Sequence, residues 1–175
     1  MEGNGQNSCS NGDQDLSTRE RLMRAATELF SQKGYAATSV REIVTAAGVS
    51  KPVLYYYFKN KEGIYHEIIR HGLELLNGLI VEVRTMDCPV SEKILQLFAR
   101  TIEMIREDMQ IIRLMYAVQY GICQELPEVN LVDILDCFDN AVLDLVEQGI
   151  VCGEFVRDDS EVMRWVLVGA LSVSI

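Results

Sequence analysis

G-V-S-K-P-V-L-Y-Y-Y-F-K-N-K, Gly48 to Lys61, is a glycine turn followed by one short helix. Glycine reaches positive φ without steric cost, so Gly48 lets the chain turn where another residue would resist. Ser50 stands where a helix cap is expected, and Pro52 falls in the first turn, where a missing N–H is tolerated. Leu54 and Phe58, four apart, point to one side and anchor the helix. Tyr55, Tyr56 and Tyr57 cannot all share that side, because each residue rotates the side chain by about 100 degrees. At least one faces outward.

Upstream, two capping-box patterns open two more helices. Ser17-Thr18-Arg19-Glu20 precedes Leu22, Ala25, Ala26, Leu29 and Phe30, with Gly34 as the stop. Ser39-Val40-Arg41-Glu42 starts a second helix whose apolar face is Val40, Ile43, Val44 and Ala47. This second helix, a turn of about four residues centred on Gly48, and the helix after it have the form of a helix-turn-helix.

The outward side of the third helix has chemistry suited to the edges of base pairs. Lys51 can donate to guanine O6 and N7, Pro52 and Val53 offer apolar contact to a thymine methyl, and tyrosine hydroxyls reach phosphates. Lys61 places an ammonium beside a helix N-terminus, a favourable seat for a phosphate.

Charge is distributed to match. The whole chain has a net charge of −10. Residues 16–63 nevertheless hold eight basic residues (Arg19, Arg21, Arg24, Lys33, Arg41, Lys51, Lys59, Lys61) against four acidic ones, and residues 64–175 hold eight against nineteen. A basic head on an acidic body fits a module that binds phosphate joined to one that does not.

Downstream the chain reads as helix after helix, an all-α fold. Asn60 caps a long fourth helix to about Arg84, with Ile64, Ile68, Leu75, Leu76, Leu79, Ile80 and Val83 on its apolar side. Cys88-Pro89 breaks the chain. Ser91 starts a fifth helix bearing Ile94, Phe98, Ile102 and Ile105, and a sixth is expected near Met109 to Tyr120, followed by a loop over Gly121 to Pro127. A seventh carries Leu131, Ile134, Leu135, Phe138, Val142, Leu145 and Val146. An eighth, from about Ser160, is apolar nearly all round and is expected to be buried on several sides. The sequence stops inside that helix at Ile175, so at least one further helix is expected beyond it. The expected organisation is a disordered arm over residues 1–15, a helix-turn-helix head over 16–62 and a helical body over 63–175.

Other classes find little support. Five cysteines lie apart with no C-x-x-C pair, so neither a disulfide framework nor a metal site is expected. His66 and His71 are five apart on one helix, and no phosphate-cradling or dinucleotide glycine pattern occurs. With no convergent acid, base or nucleophile set, neither an enzyme nor a cofactor is expected. There is no apolar run of 18 residues and no signal-like leader, so a cytoplasmic protein is expected.

At four runs the sequence resembles the TetR-type regulators. These are A-A-x-E-L-F-x-x-K-G-Y (Ala25 to Tyr35), T-S-V-R-E-I (Thr38 to Ile43), A-A-G-V-S-K (Ala46 to Lys51) and L-Y-Y-Y-F-K-N-K-E (Leu54 to Glu62). The resemblance covers residues 17–65 and implies a homodimeric repressor of palindromic operator DNA, released by a small-molecule effector. It implies that Arg41 reaches a base, that Lys51, Pro52, Val53, Tyr56 and Tyr57 face the groove, and that Thr38, Ser39, Tyr55 and Lys61 lie against phosphates. Pro52 and Val53 stand where such proteins often carry Gly and Thr, and Tyr57 where His is frequent, which bears on operator sequence rather than fold.

The resemblance also implies an effector pocket among the body helices and a dimer interface on the last two. Met104, Met115, Tyr116, Gln119, Tyr120 and Trp165 are the candidate pocket residues, combining polarisable or aromatic surface with a few polar groups. The competing reading is a helical module that binds a small molecule or a protein partner without binding DNA.

Overall fold

The computed structural model describes residues 17–107, 127 and 132–173. The expected N-terminal arm, the helix near Met109 to Tyr120, nearly all of the loop after it and the expected continuation past Ile175 lie outside those residues. The described residues form seven helices: α1 (Thr18–Lys33), α2 (Val40–Ala46), α3 (Lys51–Phe58), α4 (Lys61–Thr85), α5 (Val90–Glu107), α6 (Val132–Cys152) and α7 (Ser160–Val173). No strand occurs among them.

Two apolar cores hold these helices, and α4 runs through both. The head core joins Leu22, Ala26 and Phe30 of α1, Ile43 of α2, Leu54 and Phe58 of α3, and Ile64, Tyr65, Ile68 and Ile69 of α4. Burying each large aliphatic side chain contributes about 2 kcal/mol. The body core gathers Leu76, Ile80 and Val83 of α4 with Ile94 and Leu97 of α5, Phe138, Val142, Leu145 and Val146 of α6, and Leu171 of α7. The head core therefore extends to Ile69, past the division at residues 62 and 63 read from sequence.

Local chemistry sets the helix ends. Both capping boxes form: Ser17 with Glu20, and Ser39 with Glu42. Asn60 accepts from the Gly63 N–H at the start of α4. α2 ends in a Schellman turn, with the Gly48 N–H donating to Thr45 O and the Val49 N–H to Val44 O. Gly48 has φ +64, and a Cβ there would lie 3.0 Å from the Arg21 guanidinium. That guanidinium donates to Ala47 O at 2.6 Å, placing a cation at the negative end of α2.

Glu42 also pairs with Lys33 of α1. Hydrogen bonds from Lys33 and then Ser39 hold its carboxyl down at about 2, against an ordinary 4.5. A depressed folded-state value means that this stabilisation is complete above pH 4.5 and is lost as pH falls towards 2. We expect Glu42→Gln to melt below the parent at pH 7 and the two to converge by about pH 2, as read by thermal melts across pH.

Three expectations about the body are corrected. Leu75 lies on the solvent side of α4, half-exposed, because the buried stripe passes through Gly72 and Leu76 instead. α5 begins at Val90, one residue before Ser91. Its first N–H groups are capped from a distance: Glu154 accepts from Val90 N at 2.8 Å and Ser91 N at 3.0 Å. These bonds, Ser91 first, draw the Glu154 carboxyl below its usual range. Finally, α7 is not buried on several sides. Val162, Trp165 and Val166 are exposed, and only Met163, Leu167, Val168 and Leu171 turn towards the body core.

Candidate nucleic-acid interface

The α3 helix is held from behind. Leu54 is fully buried and Phe58 nearly so, and Arg19 of α1 covers the Phe58 ring at 5.7 Å. This fixes the rotation of the helix and turns Pro52, Val53, Tyr56 and Tyr57 outward as one face, with spacings of three and four residues. The same four residues, with Thr18, Val49 and Ser50, line an open groove of about 540 Å³. Tyr56 is 83% exposed and meets the Tyr57 ring edge-on at 5.1 Å. Lys51, Tyr55 and Lys59, four apart, flank this face, and all three are exposed.

The junction after α3 is tight. Lys59 has φ 63, a left-handed backbone that non-glycine residues rarely adopt. The chain then enters α4 at once, and a Cβ on Gly63 would lie 1.9 Å from the Phe58 carbonyl oxygen.

The cations of the head divide into two groups. Arg19 pairs with Glu67, Lys33 with Glu42, and Arg21 with the carbonyls that end α2. Arg41, Lys51 and Lys59 are exposed and make no ion pair among the described residues. They are the charges free to meet an external phosphate or base.

Several residues marked in the sequence have other duties. Thr38 is 2% exposed, and its hydroxyl donates to Gly34 O at 2.8 Å, so its side chain holds the α1–α2 turn rather than facing outward. Lys61 donates to Tyr35 O at 2.9 Å and Thr38 O at 3.0 Å over the Tyr35 ring, which ties α4 to that turn. Ser39 is exposed, with its hydroxyl on Glu42. Ser50 stands at the N-cap of α3 without a side-chain cap bond.

Of the expected pocket residues, Met115, Tyr116, Gln119 and Tyr120 lie outside the described residues. Met104 is half-buried against the body core. Trp165 is 67% exposed on the outer face of α7, with the Arg164 guanidinium over its ring at 4.8 Å. Among the described residues no cluster of metal-ligating groups occurs, and no helix is long and apolar enough to cross a membrane.

A glycine turn, a buried-backed helix presenting lysine and tyrosine, and unpaired cations beside it define a helix-turn-helix DNA-binding protein. Residues 22–68 match the profile of "Bacterial regulatory proteins, tetR family". It is 29% identical over 147 residues to the HTH-type transcriptional repressor KstR2 of Mycolicibacterium smegmatis, a match covering 83% of this chain and 71% of that protein. It spans about half or less of the length of other curated relatives. The ketosteroid transcriptional regulator KstR2 of Mycobacterium tuberculosis superposes with a TM-score of 0.76 at 24% identity, covering 92% of this chain and 83% of that one. The regulator FadR from Bacillus subtilis, solved with stearoyl-CoA, superposes with a TM-score of 0.68 at 22% identity, covering 87% and 82%. The chain is a DNA-binding transcriptional regulator, and the reading without DNA binding finds no support among these relatives.

Proposed function

We propose that this regulator is a homodimeric repressor that binds palindromic double-stranded operator DNA and is released by a small apolar effector. The observation carrying the DNA reading is the outward face of α3, with Lys51, Tyr56 and Tyr57 exposed while Leu54 and Phe58 are buried behind. Residues 16–62 act as the reading head and residues 63–175 as the sensing and dimerising body, in the cytoplasm, without cofactor, metal or enzymatic activity. Arg41, Lys51 and Lys59 supply the free cations, and Ser39 and Tyr55 border the same surface.

The exposed apolar face of α7, Val162, Trp165 and Val166, favours a second copy of the chain as partner, since contiguous apolar surface of this kind marks an interface. An apolar effector fits the apolar character of the body core, to which Phe138 belongs and against which Phe98, Ile102 and Met104 pack. The relatives solved with, or named for, an acyl thioester and a ketosteroid point the same way.

Release works as a shift between two body conformations. The effector favours the one that sets the two α3 helices at the wrong separation for successive major grooves, ~34–36 Å apart. α4 is the natural lever, because one half lies in each core. Selection of bound DNA from a random pool, at stated salt, tests the reading. A palindrome with half-sites about one helical turn apart is expected. A pool with no enriched sequence would overturn it.

A further inference from the structure

Four kinds of base reading are open to a helix in the major groove. Guanine is read by bidentate donors to O6 and N7, adenine by a carboxamide on N6 and N7, cytosine by a carboxylate on N4, and thymine by apolar contact with its 5-methyl. From Lys51 to Phe58, α3 has no guanidinium, carboxamide or carboxylate at all. Its one charged donor is Lys51, and its tyrosine hydroxyls are single-point groups that donate or accept and so discriminate weakly. The outward surface is otherwise apolar. Pro52 is exposed and Val53 half-buried, and with Val49 and the Tyr56 and Tyr57 rings they line the groove beside Thr18.

We infer that α3 selects its half-site chiefly by thymine 5-methyl groups, seated against Pro52 and Val53 and walled by Tyr56 and Tyr57. The inference rests on the operator-binding reading above and adds what is read there. Hydrogen-bond readout is left to Lys51 of α3 and Arg41 of α2, both exposed and free of ion pairs among the described residues. A half-site with thymines facing α3, and with guanines only where those two cations reach, is the consequence.

The test uses the full chain and the palindrome selected from the random pool. Each thymine is replaced in turn by deoxyuridine, symmetrically in both half-sites, which keeps base pairing and the O4 acceptor and removes only the methyl. Affinity is read by fluorescence anisotropy at fixed salt. Loss of one buried methyl weakens binding about 4-fold, and about 15-fold when both half-sites lose it. One or two such positions per half-site are expected, and Pro52→Ala or Val53→Ala should erase the penalty at its own position. At a sensitive position, 5-methylcytosine should bind better than cytosine. If no thymine is sensitive while the palindrome is still bound over random DNA, the methyl inference fails and the regulator reading stands. A penalty that persists unchanged in both variants would assign the effect to DNA stiffness and also overturn it. If no sequence is preferred at all, the operator reading fails first.

Discussion

The Lys51→Ala/Tyr56→Ala variant is expected to bind operator about 1,000-fold more weakly than the parent while melting at the same temperature. A dimer carries four such substitutions, and each lost contact costs about 1 kcal/mol at the low end of the usual range, together about three decades in Kd. The fold has little to lose. Lys51 makes no ion pair among the described residues, and Tyr56 touches the Tyr57 ring while standing almost wholly in solvent. Substitutions at such surface positions usually move stability by less than about 0.5 kcal/mol. Anisotropy at fixed salt and a thermal melt of each protein decide the matter. Operator binding at parental strength would remove α3 as the reading element, and a large drop in melting temperature would show these residues to be structural.

How far this surface was legible in the sequence depends on the range of the interactions that build it. Capping boxes are local, so Ser17 with Glu20 and Ser39 with Glu42 were readable as written. So was the inward pair Leu54 and Phe58, which needs only helical spacing. The division of labour among the cations was not. Eight basic residues in the head look alike in a charge count, yet Arg21 ends α2 and Lys61 ties α4 to carbonyls more than twenty residues away. Nor does the sequence around Thr38 tell that its hydroxyl has an internal partner in Gly34 O.

The body shows the same limit on a larger scale. Glu154 caps α5 from more than sixty residues downstream, a bond with no local signature. The Schellman turn at Gly153, φ +84, brings it there, with the Glu154 N–H on Gly149 O. For α7, an all-round apolar pattern says that the helix avoids water but not what covers it. The single chain covers one side and leaves Trp165 outside, so burial by a second copy and lining of a pocket could not be separated by periodicity alone.

Gly63→Ala is expected to disrupt the head and leave the body folded. A Cβ at this position meets the Phe58 carbonyl oxygen at 1.9 Å and its carbon at 3.1 Å, with the Asn60 cap oxygen at 3.3 Å. Two of those atoms are backbone, so relief requires α3 and α4 to separate. That would withdraw Phe58 from the head core and break the cap on α4. The cost is at least about 4 kcal/mol, well above the roughly 1 kcal/mol that alanine gains over glycine in a helix. Because Leu76, Ile80 and Val83 belong to the second core, amide exchange in α5 and α6 and the fluorescence of Trp165 should stay close to the parent. Amides of α2 and α3 should lose protection, and operator binding should vanish. Parental protection throughout would show that α3 and α4 are not in this close contact. The same contact explains why α4 can serve as a lever. With Lys59 fixed at φ 63 and only Asn60 between it and the next helix, the junction has no slack, and a shift of α4 must carry α3 with it.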